Sequence, residues 1–82
     1  MDDRSAISEM VARIARALVD SPDQVGVADR EDRDRVVFEL TVAEDERGQV
    51  IGRGGRVAHA LRAVTQAAGR ARGVRATLDI ID

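Results

Sequence analysis

Apolar side chains recur along this chain at two spacings, and each spacing predicts a type of secondary structure. Over residues 5–19 they follow one another at steps of three and four, which places them on one stripe of a helix. Asp3 or Ser5 is expected to cap the start of this helix. Ser21-Pro22 is expected to end it, because proline disfavours the helical conformation in the preceding residue.

Two later segments alternate apolar and polar residues, which is the period of a strand with one buried face. The apolar positions are Val36, Phe38, Leu40 and Val42 in the first segment and Val74, Ala76, Leu78 and Ile80 in the second. Val25 and Val27 predict a further short strand. The charge run DREDRDR, residues 29–35, has no apolar anchor and predicts a solvated hairpin turn.

Helical structure is also expected in the second half of the chain. Residues 45–51 predict one or two helical turns, with Val50 and Ile51 directed inward. A second long helix follows, and either Gly69 or Gly73 would end it. Its expected apolar stripe comprises Val57, Ala60, Leu61, Val64, Ala67 and Ala68. The predicted order is α-β-β-α-α-β, an α+β fold with a three-stranded sheet packed on helices.

Composition narrows the function classes. Eighty-two residues suffice for one domain, which we expect over 1–82 with its folded part at about 5–82. The hydrophobic core of so short a chain will be modest. Cysteine is absent, which excludes disulfides, thiolate metal sites and a cysteine nucleophile. No apolar run could span a membrane, and the N-terminus is acidic where a signal peptide would be basic. We therefore expect a soluble, cytoplasmic protein.

Charge is distributed unevenly along the chain, although the net charge is only −2. Residues 1–44 hold six arginines against eleven acidic residues, a net of −5. Residues 45–75 hold seven arginines against two acidic residues, a net of +5. Because salt screens charge beyond a Debye length of about 8 Å, this local excess matters more than the net value. The second half of the chain is therefore the candidate region for an anionic ligand.

The basic region contains the sequence VIGRGGRV, residues 50–57, with two glycines three residues apart and two arginines. Glycine lacks a Cβ, so a polyphosphate backbone can lie against such a loop. A loop that opens a helix also directs free N–H groups and the positive end of the helix dipole at the ligand. Arg53 and Arg56 add formal charge. This pattern indicates a phosphate-binding loop.

The Gly-x-x-Gly loop resembles that of K-homology (KH) domains, which clamp about four backbone nucleotides of single-stranded nucleic acid. The predicted order of elements is similar to the type II, prokaryotic KH fold. The chain resembles the small bacterial KhpA family, and four stretches carry the match: residues 17–25, 36–43, 48–58 and 78–82. One departure is Gly54, since the family often has a polar residue there.

The resemblance implies a non-catalytic RNA-binding protein, an RNA chaperone or post-transcriptional regulator, with links to cell shape in some members. It also implies homodimers, or pairing with a multidomain KH protein called KhpB or Jag. No cofactor, metal or catalytic residue is expected. The candidate RNA-contacting residues are Arg47, Val50, Ile51, Gly52, Arg53, Gly54, Gly55 and Arg56.

Several alternatives stay open at the level of sequence. The glycines would also suit a simple tight turn, and Ile51, Val57 and Leu61 would suit either a base-binding groove or ordinary core packing. His59, Gln66, Arg62 and Arg70 are either RNA contacts or solvated surface. The chain would alternatively serve mainly in dimerisation or partner docking. A nucleotide-binding enzyme is disfavoured, because the chain has no lysine with which to complete a P-loop.

Overall fold

The computed structural model describes residues 2–81, and the elements within them follow the predicted α-β-β-α-α-β order. They are α1 (Asp3–Leu18), β1 (Gly26–Asp32), β2 (Arg35–Thr41), α2 (Arg47–Ile51), α3 (Arg56–Ala71) and β3 (Ala76–Ile80). Single 3-10 turns lie at Pro22–Gln24, Glu44–Glu46 and Arg53–Gly55. The α+β class and the type II KH arrangement are confirmed.

The sheet has the order β1-β2-β3, with β1 antiparallel to β2 and β2 parallel to β3. Val36 donates its N–H to the carbonyl of Arg75, and Ile81 donates to the carbonyl of Leu40. The N–H and C=O groups of a strand alternate sides from one residue to the next. Those of every second residue between Arg75 and Ile81, starting at Ala76, therefore point away from β2. The residues whose N–H and C=O groups face this open edge of β3 are Ala76, Leu78 and Ile80.

One face of the sheet packs against the helices and forms the core. Phe38 and Leu40 of β2 are fully buried there, as the alternating pattern predicted. From α1, Ile7 and Val11 pack against them, and Leu78 contributes from β3. The strand ends at Thr41, so the predicted last position, Val42, lies just beyond it and is half-buried. The second alternating segment also forms a strand, as predicted.

Two local expectations in the first half of the chain were wrong. The helix begins earlier, because Asp2 caps it by accepting a hydrogen bond from the Ser5 N–H at 2.7 Å. The charge run is mostly strand, since β1 continues to Asp32 and only the tip, with Arg33 at φ 61°, turns. Its acidic residues are tolerated because Arg4 of α1 pairs with Asp29 and Glu31 at 2.7 and 3.0 Å.

The face that α3 buries also differs from the prediction. Val64 is 43% exposed, whereas the fully buried residue is Thr65, whose hydroxyl donates to the Leu61 carbonyl at 2.8 Å. At about 100° per residue, the helix is rotated by roughly one position from the predicted stripe. Small residues face the sheet because the approach is close, and a Cβ on Gly69 would lie 2.5 Å from the Val74 carbonyl. Gly73, at φ 71°, follows the helix end.

Candidate nucleic-acid interface

The glycine loop is held between a short helix and a long one. Val50 of α2 is fully buried and anchors that helix in the core, as predicted. Ile51 was expected to point inward, but it is 39% exposed. Adjacent side chains on a helix point about 100° apart, so the orientation of α2 that buries Val50 leaves Ile51 partly exposed. The structure therefore places an exposed aliphatic side chain immediately before the loop.

Gly52 is the position where the loop depends on glycine most strongly. Its backbone angles are φ 76° and ψ 170°, a combination that essentially only glycine adopts. A Cβ here would lie 2.5 Å from Cγ2 and 3.0 Å from the backbone nitrogen of Val57. The Gly52 N–H donates to the Gly48 carbonyl at 2.8 Å and closes α2. The loop therefore packs tightly against the first turn of α3.

The tip of the loop is open to solvent. Gly54 and Gly55 have φ of 66° and 76°, and a Cβ on either would meet no atom within 4 Å. Arg53, Gly54 and Arg56 are exposed. No side chain caps the start of α3, so the first N–H groups of that helix lack a side-chain acceptor. The tip therefore combines approachable backbone, helix N–H groups and two guanidinium groups.

The arginines divide into two sets by their ion pairs. Within residues 2–81 the following have a carboxylate oxygen within 4.0 Å: Arg4, Arg13, Arg16, Arg30, Arg35, Arg47, Arg72 and Arg75. Those with no such partner in the same part of the chain are Arg33, Arg53, Arg56, Arg62 and Arg70. Four of these five lie on the glycine loop and α3. Within residues 2–81, the arginines without a carboxylate partner are therefore concentrated on the glycine loop and α3, and two of them, Arg53 and Arg56, belong to the predicted site.

A polar groove separates α3 from the open edge of β3. Arg62 reaches across it, and its Nε donates to the Leu78 carbonyl at 3.4 Å. Farther along, Gln66 and Arg70 line a recess of about 500 Å³ together with Thr77. We call this surface the α3–β3 groove. The recess lies toward the C-terminal end of α3, where Arg70 is about 21 Å along the helix from Arg56 at its start.

An apolar groove lies on the other side of α3, against α1. It has a volume of about 320 Å³. Its lining consists of Ile14, Leu18, Arg56, Val57, Ala60, Leu61 and Val64. Leu18 is 39% and Val64 43% exposed, so two of the three exposed large apolar side chains of residues 2–81 lie in this groove. Val57 and Leu61, for which a base-binding groove and core packing were both open, border this surface, but Leu61 is only 4% exposed and belongs to the hydrophobic core, against which Val57 packs.

Not every predicted residue reaches the loop tip. Arg47 lies at the opposite end of α2, pairs with Glu44 at 4.0 Å and borders a recess with Thr41 and Ile81. His59 is exposed on α3. Thr77 and Arg75 of the α3–β3 groove were missed by sequence reasoning, because a strand pattern does not show which helix its edge faces.

Other kinds of site are not supported by residues 2–81. No group of histidine and carboxylate side chains in that range could hold a metal ion. None of the helices described is long and apolar enough to cross a membrane.

Comparison with known proteins gives the same assignment along nearly the whole chain. The family described as KhpA/KhpB, KH domain, matches residues 8–80. An RNA-binding protein KhpA of Halalkalibacterium halodurans is 48% identical over 73 residues, covering 89% of this chain and 96% of that protein. The proteins of the same name from Aquifex aeolicus and Streptomyces coelicolor are 44% and 45% identical. The match to the Aquifex aeolicus protein covers 95% of this chain and 99% of that protein. The match to the Streptomyces coelicolor protein covers 93% of this chain and 92% of that protein. This chain belongs to the KhpA/KhpB family of KH-domain proteins.

Proposed function

We propose that this protein is a non-catalytic, single-stranded RNA-binding protein of the cytoplasm, acting as an RNA chaperone or post-transcriptional regulator. The observation that carries the proposal is the placement of the unpaired arginines. Four of the five within residues 2–81 lie on the glycine loop and α3, whereas four arginines of the first half, Arg4, Arg13, Arg30 and Arg35, pair with acidic residues of the same half. A local excess of cationic side chains without acidic partners suits a polyphosphate ligand.

The loop would contact the phosphates. Arg53 and Arg56 supply charge, and the open backbone at Gly54 and Gly55 lets a nucleotide approach the N–H groups at the start of α3. Bases would then lie beside Ile51 and along the α3–β3 groove, where Arg62 and Arg70 have no carboxylate partner among residues 2–81. Single strands are favoured because such a groove reads bases only when they are not stacked in a duplex.

Titration of a fluorescent single-stranded RNA, with a duplex of equal length as the control, tests this proposal. The single strand should bind more tightly, and backbone amide shifts should change first at residues 52–56 in an NMR titration. Tighter binding of the duplex, or shifts confined to the outer face of the sheet, would contradict it. Crosslinking in cells, with sequencing of the bound RNA, would then identify the targets.

A second function, self-association or pairing with a KhpB/Jag-like multidomain KH protein, is favoured by the apolar groove between α1 and α3. This groove exposes Leu18 and Val64 on the side of α3 that faces away from Arg62. The two surfaces meet at Arg56, which lines this groove and also belongs to the loop tip. Joining two RNA sites would raise the apparent affinity without new contacts. Sedimentation equilibrium measures the association directly.

A further inference from the structure

Glu46 is the buried charged side chain of residues 2–81, with 7% of its surface exposed. Both of its carboxylate oxygens are engaged by one residue. Oε1 accepts a hydrogen bond from the Ser21 backbone N–H at 2.9 Å, and Oε2 accepts one from the Ser21 hydroxyl at 2.6 Å. No arginine lies within ion-pair distance of Glu46 in the described part of the chain. Removing a carboxylate from water costs free energy, and here the two hydrogen bonds from Ser21 must be kept to offset that cost.

These two hydrogen bonds join segments that are 25 residues apart in sequence. Glu46 immediately precedes α2, and Ser21 lies in the connection between α1 and β1. Beside them, the Gln49 side-chain amide donates to Asp20 at 3.2 Å. We call the Ser21–Glu46 pair the clamp. It fixes the residue before α2 to the connection that follows α1.

A helix as short as α2 cannot hold its own position. Isolated helices shorter than about 12–15 residues are marginal in water, and α2 has five residues. Tertiary contacts must therefore set its direction. Val50 anchors its far end in the core, and the clamp anchors its near end. Two anchors define the axis of the helix, whereas one would let it pivot.

We propose that the clamp is a positioning device for RNA binding, which presents Ile51 and the entry of the glycine loop in the binding geometry. This inference rests on the proposed RNA-binding function and adds to it a pair of residues that do not touch RNA. If α2 pivots in a fraction of molecules, the apparent affinity falls in proportion to the competent fraction that remains. Pre-organisation of this kind improves binding without adding a contact.

Electrostatics and positioning predict opposite effects of removing Glu46. Loss of a negative charge near a phosphate-binding loop would strengthen RNA binding or leave it unchanged. Loss of the clamp would weaken it. The sign of the change in affinity for Glu46→Ala therefore separates the two explanations.

The experiment measures the affinity of the full chain for single-stranded RNA, well below the thermal midpoint of every variant. Ser21→Ala removes only the hydroxyl and is the milder change, and Glu46→Ala removes both hydrogen bonds. Glu46→Gln keeps the shape and can donate to the Ser21 hydroxyl instead. Ile7→Val, which removes one methyl group from the core below α1, is the control for general destabilisation. Amide hydrogen exchange at residues 47–55 is recorded for each protein.

Glu46→Ala should bind RNA about tenfold more weakly and Ser21→Ala less severely, with faster exchange at residues 47–55. Glu46→Gln should stay within about threefold of the original affinity, and Ile7→Val should melt earlier with unchanged affinity. Unchanged or tighter binding by both Ser21→Ala and Glu46→Ala would overturn the clamp. An equal loss of RNA affinity in Ile7→Val would show that the clamp contributes only to the general stability of the fold. Absence of binding by the unaltered protein would instead refute the proposed function.

Discussion

Gly52→Ala tests whether the loop conformation and its packing against α3 are as tight as the structure indicates. Alanine at φ 76° and ψ 170° would adopt a backbone conformation that costs about 1–3 kcal/mol. Its Cβ would also lie 2.5 Å from Cγ2 of Val57, and overpacking of this kind costs about 1–3 kcal/mol. The two costs together predict a loss of about 2–6 kcal/mol in the free energy of unfolding.

A thermal melt followed by circular dichroism measures this loss. Each kcal/mol shifts the midpoint of a domain of this size by about 4–8 °C, so Gly52→Ala should melt at least about 8 °C earlier. Gly54→Ala is the matched control, because its φ of 66° is also left-handed but a Cβ there meets nothing within 4 Å. It should lose only about 1 kcal/mol.

The contact with Val57 can be separated from the backbone cost by a double substitution. Val57→Ala removes the Cγ2 atom that the new Cβ would strike, so the penalty of Gly52→Ala should be smaller by about 1 kcal/mol in that background. Equal midpoints for Gly52→Ala and Gly54→Ala would refute the reasoning. So would a Gly52→Ala penalty that Val57→Ala does not reduce.

Three further outcomes follow from the structure. Gly48→Ala should raise the melting midpoint by about 2–8 °C, because Gly48 lies inside α2 with nothing within 4 Å of a Cβ; a lower midpoint would show that the position needs glycine. The slope of log K for single-stranded RNA against log salt should be about −2 to −3, as three or four neutralised phosphates give, and a slope near zero would contradict a phosphate clamp. Val64→Asp should reduce the sedimentation mass to that of a monomer while the fold persists, since Val64 is 43% exposed. An unchanged mass would place any association elsewhere.

Strong periodicity made the long elements predictable. The three- and four-residue steps of α1 and the alternation around Phe38 and Leu78 reflect faces that are mostly buried, although Leu18 at the end of the α1 stripe is 39% exposed. The glycine loop was predictable for a different reason. Its residue types are fixed by local backbone geometry and by contact with the next turn, as the positive φ of Gly52 shows.

The features that escaped prediction depend on contacts between distant segments. The buried face of α3 was predicted wrongly because bulky apolar residues such as Val64 face a groove, while small residues such as Gly69 face the sheet. Ile51 was misplaced because a five-residue helix is too short to show a period. Which arginines remain unpaired was also invisible in sequence. Arg72 and its partner Asp3, for example, are 69 residues apart.

Contact between the loop tip and RNA phosphates is the main element of the proposed function. The double variant Arg53→Asp with Gly54→Asp tests this contact. Both positions are exposed, and aspartate tolerates the left-handed conformation of Gly54 better than most residues. Arg13→Asp, which makes the same charge reversal on an exposed position of α1, is the control.

The measurement is the affinity for single-stranded RNA, with a thermal melt of each protein. The double variant should lose RNA binding, its melting midpoint should stay within about 8 °C of the original, and Arg13→Asp should bind normally. Undiminished binding by a folded double variant would exclude the loop tip from RNA binding.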